Sequence, residues 1–164
     1  MSRRRNSLTI ALLVVAIVFS IDQLSKQWIL ATLQQPGTTL ALPGPVDLTL
    51  VFNRSNAFGL VPVSGEVTRW GLAALNFAVA AVLAWILIRR SMSRASMLGV
   101  AFLIAGATGN ALDRIRFGAV IDFFNASKLG FVWVFNVADA SIDVGIGLLL
   151  LMAVLKPGSR PSPR

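Results

Sequence analysis

A mainly helical membrane protein with four crossings is the fold class this chain predicts, and three observations support it. Of its 164 residues 55% are hydrophobic, with a mean hydropathy of +0.74. A soluble domain of that size lacks the interior to hide so much apolar surface. The apolar residues gather into four runs, each near the roughly 20 residues that a bilayer core demands. The cations sit at the ends of those runs, at Arg3-Arg4-Arg5, Arg89-Arg90, Arg94 and Lys156, and form no stripe along a polar face. The net charge of +8 therefore reads as a topology signal and a contact with anionic lipid headgroups, not as a nucleic-acid surface.

Leu8 to about Leu33 is the first run. Its exit, Ala31-Thr32-Leu33, lacks a small-x-small cleavage site, so it reads as a retained helix and not as a signal peptide. Gln34-Gln35-Pro36-Gly37 stops it. The stretch from about 36 to 69 contains Pro36, Pro43, Pro45 and Pro62, and Val46–Phe52 is rich in β-branched residues with alternation at its start. Short strands in a small extramembrane platform are predicted there. The second helix is expected from about Trp70 to Ile88, the third from about Ala95 to Ile115, and the fourth from about Phe135 to Leu155. An outer loop should join the last two. One membrane domain is expected over residues 1–156, followed by a Pro/Ser-rich, disordered cytoplasmic tail over 157–164.

Four crossings place both termini on one side. That side holds nine cations (Arg3, Arg4, Arg5, Arg89, Arg90, Arg94, Lys156, Arg160, Arg164). The other holds six (Lys26, Arg54, Arg69, Arg114, Arg116, Lys128). The bias predicts cytoplasmic termini. Trp70, Phe117, Phe123, Phe124, Phe131, Trp133 and Phe135 then crowd the outer boundary as interfacial anchors.

The acids are the anomaly. There are only seven, and five (Asp22, Asp113, Asp122, Asp139, Asp143) fall in or against membrane-grade segments. An uncompensated charge there costs about 2.5–3.5 kcal/mol on insertion scales. Asp22, Asp113, Asp122 and Asp139 converge on the outer leaflet, with Asp143 one turn deeper. The chain has neither Cys nor His, which excludes disulfides, thiol catalysis and the commonest zinc ligands. No metal or cofactor is expected, and proton chemistry falls to carboxylates with raised pKa or to a lysine.

Asp22 and Lys26, one turn apart, read as a self-neutralising structural pair, as a lysine snorkelling to the headgroups, or as a substrate contact. Asn110, Asp113 and Arg114 share one face of the third helix behind Gly106 and Gly109, which permit close helix approach. They read equally as a polar knot between helices or as substrate-orienting groups. Asp122 and Asp139 have no basic residue within a turn, Lys128 being the nearest in sequence. If they meet, they share a proton and form an acid–base dyad for peptide hydrolysis. Otherwise they are two structural acids, capping helices or bonding backbone amides. Asp143 reads as a protonated carboxylate bonded to a neighbouring helix, or as a competitor for the dyad role. A rival reading, a small proton-coupled transporter using Asp139 and Asp143, predicts acids spread through the membrane depth.

Five blocks occur in order: Asp22-Gln23-Leu24-Ser25-Lys26, Asn53 with Ala57-Phe58, Gly109-Asn110-Ala111-Leu112-Asp113-Arg114, Val120-Ile121-Asp122-Phe123 and Phe135-Asn136-Val137-Ala138-Asp139. Together they resemble the bacterial prolipoprotein signal peptidases of type II. The resemblance implies a four-helix aspartyl protease of the inner membrane that cuts signal peptides just before a diacylglyceryl-modified cysteine, with its active site near the outer leaflet; a monomer is expected. It implies that Asp122 and Asp139 are catalytic and that Asn53, Asn110, Arg114 and Asn136 surround the substrate and the inhibitor globomycin. Asp22, Lys26 and Asp113 then shape the site, and residues 36–69 form a β-cradle that grips the substrate. Two positions depart from the family pattern. Ser55 stands where the family has a glycine, and Asp143 where it is usually uncharged.

Overall fold

Charge and polar residues do not end a helix once it has left the bilayer, and this sets the true helix lengths. In the computed structural model, which describes residues 2–54 and 65–155, α1 spans Ser2–Leu33 and so starts well before the apolar run at Leu8. Helix α2 spans Glu66–Arg89, α3 Arg94–Phe117 and α4 Val137–Leu155. All four are long and apolar enough to cross a membrane. Ser55, Ala57, Phe58 and the tail beyond Leu155 lie outside the described residues.

Helix α3 is the hub and packs against α1, α2 and α4. Its apolar window is 56% buried, against 11–17% for the other three. The outer helices turn large apolar side chains such as Leu24, Trp85 and Leu150 outward, the pattern lipid demands. Small residues set the closest approach. A Cβ at Gly106 would collide with the Ala138 carbonyl oxygen and the Ser141 side chain, and one at Gly109 would stand 2.5 Å from Asp22 Oδ2. The expected close packing behind these two glycines is found.

The ends of α3 are satisfied explicitly. Ser93 accepts from the Ser96 amide at 3.1 Å, an N-cap. At the other end Gly118 takes the left-handed conformation (φ 73°) and returns its N–H to the Arg114 carbonyl. Arg69 from α2 donates Nε to the Arg114 carbonyl (2.8 Å) and Nη2 to that of Ile115.

The predicted strand at Val46–Phe52 is β2, Asp47–Asn53, paired with the short β1, Thr39–Leu40. The linker between α3 and α4 is more than a loop. It supplies β3, Val120–Asn125, a single 3₁₀ turn at Ser127–Leu129, and β4, Val134–Phe135. The result is one antiparallel four-stranded sheet in the order β1-β2-β3-β4. Its apolar side closes on Ile29 and Leu33 of α1 through Leu48, Leu50, Ile121 and Phe123. Phe123 is thus core and not an interfacial anchor, whereas Trp70, Phe131 and Trp133 are exposed as expected. Between Leu48 and Val51 the β2–β3 register slips, a bulge on β2. Such bulges redirect the residues beyond them; here these include Asn53 and Asp122.

Candidate active site

Lys26 is the most buried cation, with no exposure at all, and an ammonium so placed needs an acceptor for each of its three N–H groups. It has three. Nζ lies 2.9 Å from Asp22 Oδ2, 2.7 Å from Asp113 Oδ2 and 3.2 Å from Asn110 Oδ1. The i,i+4 pair foreseen on α1 exists, and it is joined by α3. Lys26 does not reach up to the headgroups.

Each carboxylate in this cluster also holds a backbone amide of another element. Asp22 Oδ1 accepts from the Ala138 amide in the first turn of α4 (2.9 Å). Asp113 Oδ2 accepts from the Ile121 amide of β3 (3.2 Å). The two segments that carry Asp122 and Asp139 are therefore fastened to the Lys26 cluster through neighbouring residues. Gln23, to which sequence reasoning gave no role of its own, completes it. Its amide donates to Asp22 Oδ2 (3.1 Å) and Asp113 Oδ1 (3.0 Å). An amide side chain inside an apolar run was the available signal.

Asn136 opens α4 with a reciprocal cap. Its Oδ1 accepts from the Asp139 amide (2.9 Å), and its own amide donates to Asp139 Oδ2 (3.2 Å). This is the capping-box arrangement with Asn and Asp in place of Ser and Glu. Asp139 thus does bond a backbone amide, and it also faces the shared site. Asn110 Nδ2 donates to its Oδ1 at 2.8 Å. The Asn136 side chain bridges to the other acid, Nδ2 donating to Asp122 Oδ1 at 2.6 Å and to Asn110 Oδ1 at 3.3 Å. Asn53 Nδ2 from β2 donates to Asp122 Oδ2 at 2.9 Å. Every sequence-predicted site residue lies in one connected group: Asn53, Asn110 and Asn136 by hydrogen bonds, and Arg114 by its field on Asp139, Asp113 and Asp122 and a bond from Nη1 to the Asn110 carbonyl.

Asp122 is 1% exposed. Burial, reinforced by the neighbouring Asp139 charge, pushes its pKa up to about 7 against the opposing hydrogen bonds from Asn53 and Asn136. Lys128 is not the partner that sequence proximity suggested. It pairs with Asp47 at 2.6 Å and bonds the Leu42 and Gly44 carbonyls, and that hydrogen bond holds Asp47 below the usual carboxylate range. Asp143 departs from expectation as well. It is exposed on α4, and among the described residues no hydrogen bond or ion pair engages it. No group of acids among the described residues has the arrangement of a metal site.

Two carboxylates joined by an asparagine, one with a pKa near neutrality, can exchange protons with a water held between them. Comparison with known proteins meets this geometry. The family model described as signal peptidase (SPase) II matches residues 14–155. The chain belongs to the signal peptidase II family. A lipoprotein signal peptidase of Caulobacter vibrioides is 40% identical over 155 residues, covering 93% of this chain and 91% of that protein. One from Azoarcus sp. is 38% identical over 141 residues, covering 85% and 79%. A bacterial membrane enzyme solved by the in meso method at 2.3 Å resolution superposes with a TM-score of 0.78 at 26% identity, covering 95% of this chain and 93% of that one. The chain is accordingly a multi-pass bacterial membrane protein and a protease that cleaves signal peptides from prolipoproteins.

Proposed function

We propose that the chain is an aspartyl endopeptidase that uses Asp122 and Asp139 to cut the signal peptide just before a diacylglyceryl-modified cysteine. The observation behind this reading is the Asn136 bridge, which bonds both acids at once. The charge balance supports it. Asp22, Asp113, Asp122 and Asp139 face Lys26 and Arg114, four negative charges against two positive. One shared proton brings the excess to a single charge, and Asp122 is its favoured seat below about pH 7.

In the reaction the ionised member, Asp139, takes a proton from the water as its oxygen attacks the scissile carbonyl. Asp122 gives its proton to the carbonyl oxygen, which forms a neutral tetrahedral diol. As the C–N bond breaks, the proton held by Asp139 passes to the departing cysteine nitrogen, and a diol proton returns to Asp122. One water is consumed, and no cofactor or metal enters the balance. Asn110 and Asn136 fix the orientation of Asp139, and Asn53 fixes that of Asp122. Arg114 offsets the negative charge.

The basic ends of the helices favour cytoplasmic termini, which would bring the carboxylates to the outer leaflet. There the lipid chains of the substrate stay in the bilayer while the peptide reaches the dyad. In this reading the enzyme works as a monomer, and globomycin occupies the same site. The transporter reading is less well supported, because the four site acids gather in one connected group and, among the described residues, Asp143 has no partner that would extend a proton path.

The test is cleavage of a diacylglyceryl-modified prolipoprotein peptide by the purified full chain, beside Asp122→Asn and Asp139→Asn. Cleavage before the modified cysteine, lost in both folded variants, is expected. A folded Asp139→Asn protein that still cleaves would end the dyad reading.

A further inference from the structure

The end of the bundle away from the carboxylates holds a cavity with arginines at its rim. It has a volume of about 240 Å³ and is lined by Arg4, Ser7, Arg90, Ser91, Met92 and Met97. It lies where the start of α1, the end of α2 and the start of α3 meet. Arg4 Nη2 donates to the Ile88 carbonyl at 2.7 Å, which ties α1 to the last turn of α2 and holds the guanidinium at the cavity wall. Arg90 closes α2, its amide bonded to the Ile86 carbonyl. Met97 is buried and Met92 packs on the apolar core behind it, so the inner wall is apolar.

Among the described residues no acid neutralises these arginines. Residues 2–21, 67–112 and 144–164 contain no Asp or Glu, and among the described residues no ion pair engages Arg4 or Arg90. Arg5, Arg89 and Arg94 stand close by in sequence and are exposed. A forked guanidinium matches the paired oxygens of a phosphate. The cavity sits where membrane helices end, level with lipid headgroups, and basic pockets between helices at that level suit anionic headgroups.

We propose that this cavity binds the phosphodiester of an anionic phospholipid, with Arg4 and Arg90 on the phosphate and Met92 and Met97 against the first carbons of its chains. A zwitterionic lipid is disfavoured, because its cationic headgroup would enter a field of arginines with no acid to receive it. The apolar wall separates this site from one for free phosphate, which gains nothing from methionine.

The test is native mass spectrometry of the full chain released from detergent micelles carrying phosphatidylglycerol or phosphatidylcholine. Wild-type protein should retain one phosphatidylglycerol in preference to phosphatidylcholine. Arg4→Gln/Arg90→Gln should weaken that retention about tenfold or more, while Arg5→Gln/Arg94→Gln, equal in charge loss, should not. Ser91→Phe, which fills the cavity and leaves both arginines, should also weaken it, and serves if the double variant fails to fold. Equal losses in the two double variants would reduce the site to diffuse charge and overturn the proposal. So would equal retention of the two lipids, or displacement of phosphatidylglycerol by millimolar inorganic phosphate.

Discussion

The two ends of this bundle handle charge in opposite ways. At the carboxylate end Asp22, Lys26, Asp113 and Asp122 are essentially inaccessible, and the Lys26 ammonium finds as many acceptors as it has protons. At the arginine end Arg4, Arg5, Arg89, Arg90 and Arg94 are exposed and no acid stands near them in sequence. A buried charge is tolerable only when partners are built around it, so the first end is rigid and specific. The second needs only water and headgroups, so the fold does not hinge on any one of its charges. Stability and catalysis should therefore respond steeply to substitution at the first end and weakly at the second.

Catalysis should show the largest effect. Asp122→Asn or Asp139→Asn is expected to lower peptide cleavage by about 10³-fold or more while the protein still folds, checked by turnover beside thermal unfolding. Next comes Lys26→Met, which strands Asp22 and Asp113 in the interior. A loss of about 3–5 kcal/mol is expected in unfolding measurements. Gly109→Ala should cost about 1–3 kcal/mol, because its methyl group would press on Asp22.

A smaller, directional effect concerns pH. Burial pushes the Asp122 pKa up to about 7, so on the proposed mechanism cleavage should fall as pH rises through about 7 and the two acids lose their shared proton. Asn53→Ala removes a hydrogen bond that favours the ionised form, so this alkaline limb should move to higher pH in a rate profile. The same raised pKa means the folded protein keeps a proton that the unfolded chain gives up near 3.8. This group's contribution to stability therefore declines from about pH 4 to about pH 7. Smallest of all, Arg5→Gln/Arg94→Gln should shift unfolding by no more than about 0.5 kcal/mol. A large effect there would break the contrast between the ends.

Much of this was legible in the residues because hydropathy and charge placement are local properties. The four helices and the strand at Asp47–Asn53 follow from runs and alternation. The site acids stood out because a carboxylate in an apolar frame is costly wherever it folds. Strand β3 was not legible. Val120–Asn125 pairs with residues some 70 positions earlier, and no local pattern separates such a strand from an apolar loop. The resemblance named Asn53 and Asn136, but their bonds to Asp122 were not legible for the same reason: Asn53 comes from β2 and Asn136 from the start of α4, while the nearest cation in sequence, Lys128, is engaged elsewhere. Asn136-Val137-Ala138-Asp139, by contrast, opens an apolar run with its cap already spelled out.

The bond from the Ala138 amide to Asp22 joins helices 116 positions apart in sequence. A ribosome delivers α1 long before α4, and chains fold as their segments emerge. Until α4 arrives, Asp122 has neither Asn136 nor Asp139 beside it. On the proposed mechanism an unfinished polypeptide still lacks its second acid, so cleavage waits for the last helix.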